Sequence, residues 1–197
     1  VGLETLAPTA LEADVNYTGL TIAVIDDDPS LGTSFANWDG NGNPEARVSF
    51  PSPSGNLTVG AGLQSFGIGG RKGDSTGGNG PVYDVELWEA GIFVATLTSG
   101  ATWSDSTSNA TISASWNASL LSDISGADVE VRLVQTSGAT GSPGNRRAIE
   151  ISGIDWDVDY SEGSATFKQM NPVVEANIKE VDGIAIASIK SINGVPI

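Results

Sequence analysis

The chain has 197 residues, with 24 acidic against 9 basic side chains, a formal net charge of −15, no cysteine and no histidine. These counts exclude a disulfide framework, a thiolate zinc site and a histidine general base. The negative balance disfavours nucleic acid and anionic membranes, and no apolar run approaches the ~18 residues of a spanning helix.

Apolar residues make up 39% of the chain and fall in short runs, separated by 25 glycines and by many Ser, Thr, Asn and Asp residues. That is turn chemistry repeated many times, which predicts an all-β protein. The expected fold is an antiparallel β-sandwich, jelly-roll-like, with a small C-terminal β-meander.

Residues 1–19 read as an N-terminal arm or edge strand, with Pro8 opposing a helix. The opening lacks the charged-then-apolar layout of a signal peptide. The sandwich domain is expected over 20–160. Leu20-Thr-Ile-Ala-Val-Ile25 reads as a buried strand, stopped by Asp26-Asp27-Asp28-Pro29. A loop with Phe35 and Trp38 follows, then a short strand over Ala46–Phe50. In Leu63–Arg71, Gly67, Gly69 and Gly70 signal a bulge or a close backbone approach.

Val82–Trp88 and Ile92–Leu97 form the clearest hairpin, joined through Glu89-Ala90-Gly91. Tyr83, Val85 and Leu87 share one face of its first strand; Asp84 and Glu86 take the other. Thr111–Trp116 is a further strand. Asn117–Asp123 reads as one helical turn capped by Asn117, with Leu120 and Leu121 under the sandwich edge. Asp128–Val134 alternates with Val129, Val131 and Leu133 inward. In the last long run Ile149 and Ile151 hold one phase, while Ile154, Trp156, Val158 and Tyr160 hold the other. The slip at Ser152-Gly153 predicts a β-bulge.

Residues 161–167 read as a linker, and 168–197 as a C-terminal assembly segment. Ile178-Lys-Glu-Val-Asp-Gly-Ile-Ala-Ile186 is echoed by Ile189-Lys-Ser-Ile-Asn-Gly-Val-Pro-Ile197. Asp182-Gly183 and Asn193-Gly194 suit two-residue hairpin turns, predicting strands at about 175–181, 184–192 and 195–197. So small a meander buries too little to offset its ordering entropy, and needs a partner. Ile178, Val181, Ile184, Ile186, Ile189, Ile192 and Val195 are the candidate docking residues.

No catalytic residues emerge. Glu86 and Glu89 flank Trp88 as the carboxylate pair of a glycosidase would. Strand phase nevertheless sets Glu86 outward and Glu89 in a turn, where acids serve as solvated sheet charges, so no enzyme is expected. Calcium is the one cofactor with a pattern. Asn37, Asp39 and Asn41 alternate before Gly42, and Asp26 and Asp28 lie nearby, although Val48 stands where a calcium loop carries its bidentate Glu. Among the five tryptophans, Trp116 and Trp156 follow core phases. Trp38, Trp88 and Trp103 are the candidates for a carbohydrate platform, since sugar rings stack on aromatic faces.

Val48-Ser-Phe-Pro-Ser-Pro-Ser-Gly55, Gly60-Ala-Gly-Leu-Gln64 and Val85-Glu-Leu-Trp-Glu-Ala-Gly91 resemble a module of tailed-bacteriophage virion proteins. Ala114–Leu121, Ser125–Val131, Arg147–Ile151 and, at the start, Ile25–Pro29 continue that resemblance in the same order. The stretch Val181–Asn193-Gly194 is similar to short repeats near the ends of phage structural and adhesion proteins. The resemblance implies a non-enzymatic structural component of a virion, in the tail, fibre or capsid decoration, with trimers as the usual form. Its partners would be copies of itself (a homo-oligomer) and other virion proteins, with no nucleic acid and no membrane. The alternative reading is a lectin-like module that binds host-surface glycans, with or without calcium.

Overall fold

The computed structural model describes residues 2–25, 29, 35–38, 44–72, 82–103, 108–137 and 149–161, together with short strands at 180–181, 184–185, 191–192 and 195–196. The chain divides into two compact units, Val1–Glu162 and Gly163–Ile197.

The first unit is an antiparallel β-sandwich. One sheet has the order β1 (Gly2–Leu6), β12 (Ile149–Ser161), β7 (Gln64–Lys72), β10 (Ala110–Trp116), with β6 (Asn56–Leu57) also paired to β12. The other has the order β2 (Ala10–Val15), β5 (Glu45–Ser49), β11 (Val129–Ser137), β8 (Val82–Glu89), β9 (Ile92–Thr102). The N-terminal segment supplies an edge strand to each sheet, and the chain changes sheets around the buried Pro8. A small third ladder joins β3 (Tyr17–Thr18) to β4 (Asn37–Trp38).

Period-two alternation builds both inner faces. Ala46 and Val48, Tyr83, Val85 and Leu87, and Val129, Val131 and Leu133 are all buried from one sheet. Phe66, Ile68, Ile154, Trp156 and Val158 meet them from the other. At this core Phe50 stacks on Phe66 (centroids 5.5 Å), Phe66 on Trp116 (5.6 Å) and Trp116 on Trp156 (5.9 Å). Each such ring contributes about 1.5–3 kcal/mol by burial alone. The phase slip at Ser152-Gly153 is a register shift against β7 between Ile151 and Gly153. Glycine in β7 permits close approach: a Cβ on Gly69 would meet the Pro29 backbone, and one on Gly70 the Ile149 side chain.

The β8–β9 hairpin turns on Ala90 and Gly91, with φ of 50° and 76°. Both positive angles are what a type I′ turn requires, and for Ala90 the left-handed region costs about 1 kcal/mol. Two bonds hold it there: Ala90 N–H donates to Asp128 O (2.9 Å) and Gly91 N–H to Glu130 Oε1 (2.8 Å).

Two local expectations are corrected. The run Leu20–Ile25 contains a single helical turn, α1 (Ile22–Ile25), instead of a strand. A short run with five apolar residues in six has no clear period to distinguish the two, and Ile25 reaches the core either way. Asn117 does cap a 3-10 turn, Ala118–Leu120, through Oδ1 to Ser119 N–H (3.0 Å). Leu121 is buried beneath it, but Leu120 points to solvent, 46% exposed.

In the second unit β13 (Glu180–Val181) pairs with β14 (Ile184–Ala185), and β15 (Ser191–Ile192) with β16 (Val195–Pro196). Each pair brackets one of the two turn dipeptides. Of the candidate docking residues, Val181, Ile184, Ile192 and Val195 lie in these strands; Ile178, Ile186 and Ile189 lie outside the described residues.

Candidate functional site

The outer face of the β2–β5–β11–β8–β9 sheet concentrates the charged and aromatic side chains. Alternation forces them there: with Val85 and Leu87 inward, Asp84, Glu86 and Trp88 turn outward, and with Val131 and Leu133 inward, Glu130 and Arg132 do the same. Register then places Arg132 opposite Arg47 on one side and Glu86 on the other, and Glu130 opposite Trp88.

Trp88 is the centre of this face. It is partly exposed, and Phe93 meets it edge-on across the hairpin at 6.0 Å between ring centres. Its indole N–H donates to Glu86 Oε2 (2.9 Å). The guanidinium carbons of Arg47 and Arg132 lie 4.7 Å and 5.3 Å from the ring centroid, within cation–π range. Phe93 is 50% exposed, so the indole continues into a second half-open ring near the hairpin tip.

The charges around Trp88 are cross-braced. Arg132 donates from Nε and Nη2 to the two oxygens of Glu45 (both 2.7 Å) and from Nη1 to Glu86 Oε2 (2.8 Å). Those hydrogen bonds hold the Glu45 carboxyl below its ordinary pKa and raise that of Arg132. Arg47 Nε faces Glu130 Oε2 at 3.2 Å, in ion-pair range but without hydrogen-bond alignment. Glu12 accepts from Ser49 Oγ (2.7 Å) at the margin.

The carboxylate pair of a glycosidase does not form here. Glu89 accepts from Ser122 N–H (2.9 Å), Ser122 Oγ (2.7 Å) and Asp123 N–H (2.9 Å), fastening the loop after the 3-10 turn. Burial opposes its ionisation, yet these bonds outweigh it and lower its pKa, so Glu89 stays an ionised loop anchor. Glu86 is occupied by Arg132 and Trp88.

Trp103 is corrected. It is 1% exposed, edge-on to Tyr83 (5.6 Å) with its N–H donating to Ala110 O (3.1 Å), so it offers no face to a sugar. It follows the last residue of β9 and folds into the core, where its apolar area outweighs its loop position. Trp38 has its backbone in β4; its side chain and that of Asn37 lie outside the described residues, as do Asp26, Asp28, Asp39 and Asn41 altogether. Among the described residues no three carboxylates group as metal ligands. An open groove on the opposite sheet, lined by Leu3, Glu4, Thr5, Leu63, Asp157 and Val158, has no aromatic ring and no arginine.

No family model matches the chain. No curated protein matches it either. The solved structures similar to it include two of low identity. One is a CBM35 from Paenibacillus barcinonensis, 15% identical, covering 80% of this chain and 99% of its own with a TM-score of 0.39. The other is a family 35 carbohydrate binding module from Clostridium thermocellum, 13% identical, covering 82% and 100% with a TM-score of 0.40.

Proposed function

We propose that the sandwich is a non-catalytic carbohydrate-binding module that takes its ligand on the Trp88 face. One observation carries the reading: a partly exposed indole, extended by half-exposed Phe93, stands among planar polar side chains that an ion-pair lattice holds in place. Aromatic rings pack against the C–H faces of sugars, and fixed guanidinium and carboxylate groups bond hydroxyls without first losing side-chain entropy. The proposal rests on this face, not on the distant structural likeness.

Glycan-array screening of the intact chain tests it. Binding should appear and should fall at least about tenfold in Trp88→Ala, since a central aromatic anchor supplies about 2 kcal/mol. Silence across a broad array, or an unaffected Trp88→Ala, would sink the proposal.

A second reading keeps the chain as an oligomeric virion component. The observation favouring it is the C-terminal repeat, which forms two minimal strand pairs, β13–β14 and β15–β16. Pairs of two-residue strands are unstable alone. The two readings are compatible, because a sandwich on a particle surface is placed to touch host glycans.

A further inference from the structure

The class of glycan follows from how the charges on the Trp88 face are used, and this step rests on the carbohydrate reading above. Arg132 is committed, with Nε and Nη2 on Glu45 and Nη1 on Glu86. Arg47 is not. Among the described residues Glu130 faces its Nε without alignment and Glu45 acts on it through charge alone, so its terminal nitrogens keep their donors. Those donors belong to a side chain 20% exposed, with its guanidinium 4.7 Å from the centre of Trp88. A planar fork held over the indole can bond a sugar seated on the exposed part of that ring, because two adjacent hydroxyl oxygens match the fork as two carboxylate oxygens do.

The face as a whole is acidic. Glu12, Glu45, Asp84, Glu86 and Glu130 share it with Arg47 and Arg132, five carboxylates against two guanidiniums. The chain as a whole, these residues included, carries a net −15. An anionic sugar would approach against that field and would compete with Glu130 for Arg47.

The geometry points to Arg47 as the specificity-determining donor of this face, and to an uncharged oligosaccharide as the ligand. The sugar ring lies against Trp88 and Phe93, and neighbouring hydroxyl oxygens accept from the terminal nitrogens of Arg47. Glu130 holds Arg47 in place from the other side.

Calorimetric titration of the intact chain tests this with cellohexaose, mannohexaose and chitohexaose as neutral ligands and an oligogalacturonate as the anionic one. At least one neutral oligomer should bind, and the oligogalacturonate should bind at least about tenfold more weakly, or not at all. Arg47→Lys keeps the charge but loses the fork, so it should weaken neutral binding about tenfold with thermal stability unchanged. Tighter binding of the oligogalacturonate, or wild-type affinity in Arg47→Lys, overturns the inference while the carbohydrate reading stands. No binding of any of the four overturns the inference, and silence across the broad array as well overturns both.

Discussion

Arg132 holds the Glu45 carboxylate in a fork, Nε to Oε1 and Nη2 to Oε2, both at 2.7 Å, while its third arm reaches Glu86 at 2.8 Å. The three residues come from β11, β5 and β8, so the fork ties three strands across their outer face. Side chains here keep 13–22% exposure, and solvent screens what the geometry provides. Arg132→Met should lower stability by about 1–2 kcal/mol in urea unfolding, because Glu45 and Glu86 then share the face without a countercharge. An unchanged midpoint would show that the fork contributes nothing net. The pH dependence has a definite sign. Glu45, and Glu89 with its Ser122 and Asp123 bonds, have folded pKa values below the ordinary glutamate value of about 4.3. Their stabilisation is present above that pH and is lost as the pH falls through their folded values. Glu89→Gln should therefore flatten part of the acid limb.

Tyr17 and Tyr83 meet hydroxyl to hydroxyl at 3.1 Å inside the sandwich, and Tyr83 also accepts the Ile149 N–H (3.0 Å). Burial pushes both phenols well above their usual range. Tyr83→Phe strands the Ile149 amide at the start of β12 and should cost about 1–3 kcal/mol; Tyr17→Phe leaves that amide satisfied and should cost less. A reversed order would refute the bonding scheme. The alkaline sign is opposite to that of the glutamates. A raised phenol pKa gives stability that is full below about pH 10 and is lost as the pH climbs beyond it. Tyrosinate absorbance from this pair should rise together with loss of far-UV signal, not before it.

Two glycines separate space from backbone angle as causes of strain. Gly62 has φ +72° and open space around an added Cβ, whereas Gly69 has room in angle but none in space, since its Cβ would meet the Pro29 backbone. Gly62→Ala should cost about 1 kcal/mol through its left-handed angle. Gly69→Ala should cost more than about 2 kcal/mol, because a backbone neighbour cannot rotate aside. Equal losses in thermal melts would count against the close packing at Pro29.

The hairpin and the outward turn of Trp88 were legible because β8 alternates strictly, so inward Val85 and Leu87 dictate an outward Glu86 and Trp88. The bulge at Ser152-Gly153 was legible for the same reason, as a change of phase. Arg47 and Arg132 were not recognised as site residues. Each is the one positive charge on its own strand, and only the β5–β11 register sets them opposite one another. Their outward phase among valines was the available signal, but pairing across 85 residues is tertiary information. Trp103 misled for the converse reason: position beyond a strand end suggests exposure, while Tyr83 and the Ala110 carbonyl give the indole a complete buried environment. Local pattern fixes which side of a strand a residue takes, and not what lies across from it.

The C-terminal repeat can be tested by removal. Among the described residues the buried apolar core runs from Tyr17 to Val158, within the first compact unit. A chain ending at Glu162 should therefore keep the sandwich, with its melting temperature within a few degrees of the full chain and near-UV tryptophan signals retained. If the repeat acts in self-association, sedimentation of the full chain should show an oligomer and sedimentation of the shortened chain a monomer. Val181→Asp with Ile192→Asp in the full chain should reproduce that loss without shortening it, because a charge on a two-residue strand prevents apolar docking. Equal oligomeric states in all three forms would remove the repeat from assembly, and a shortened chain that fails to fold would give it a role in the stability of the sandwich instead.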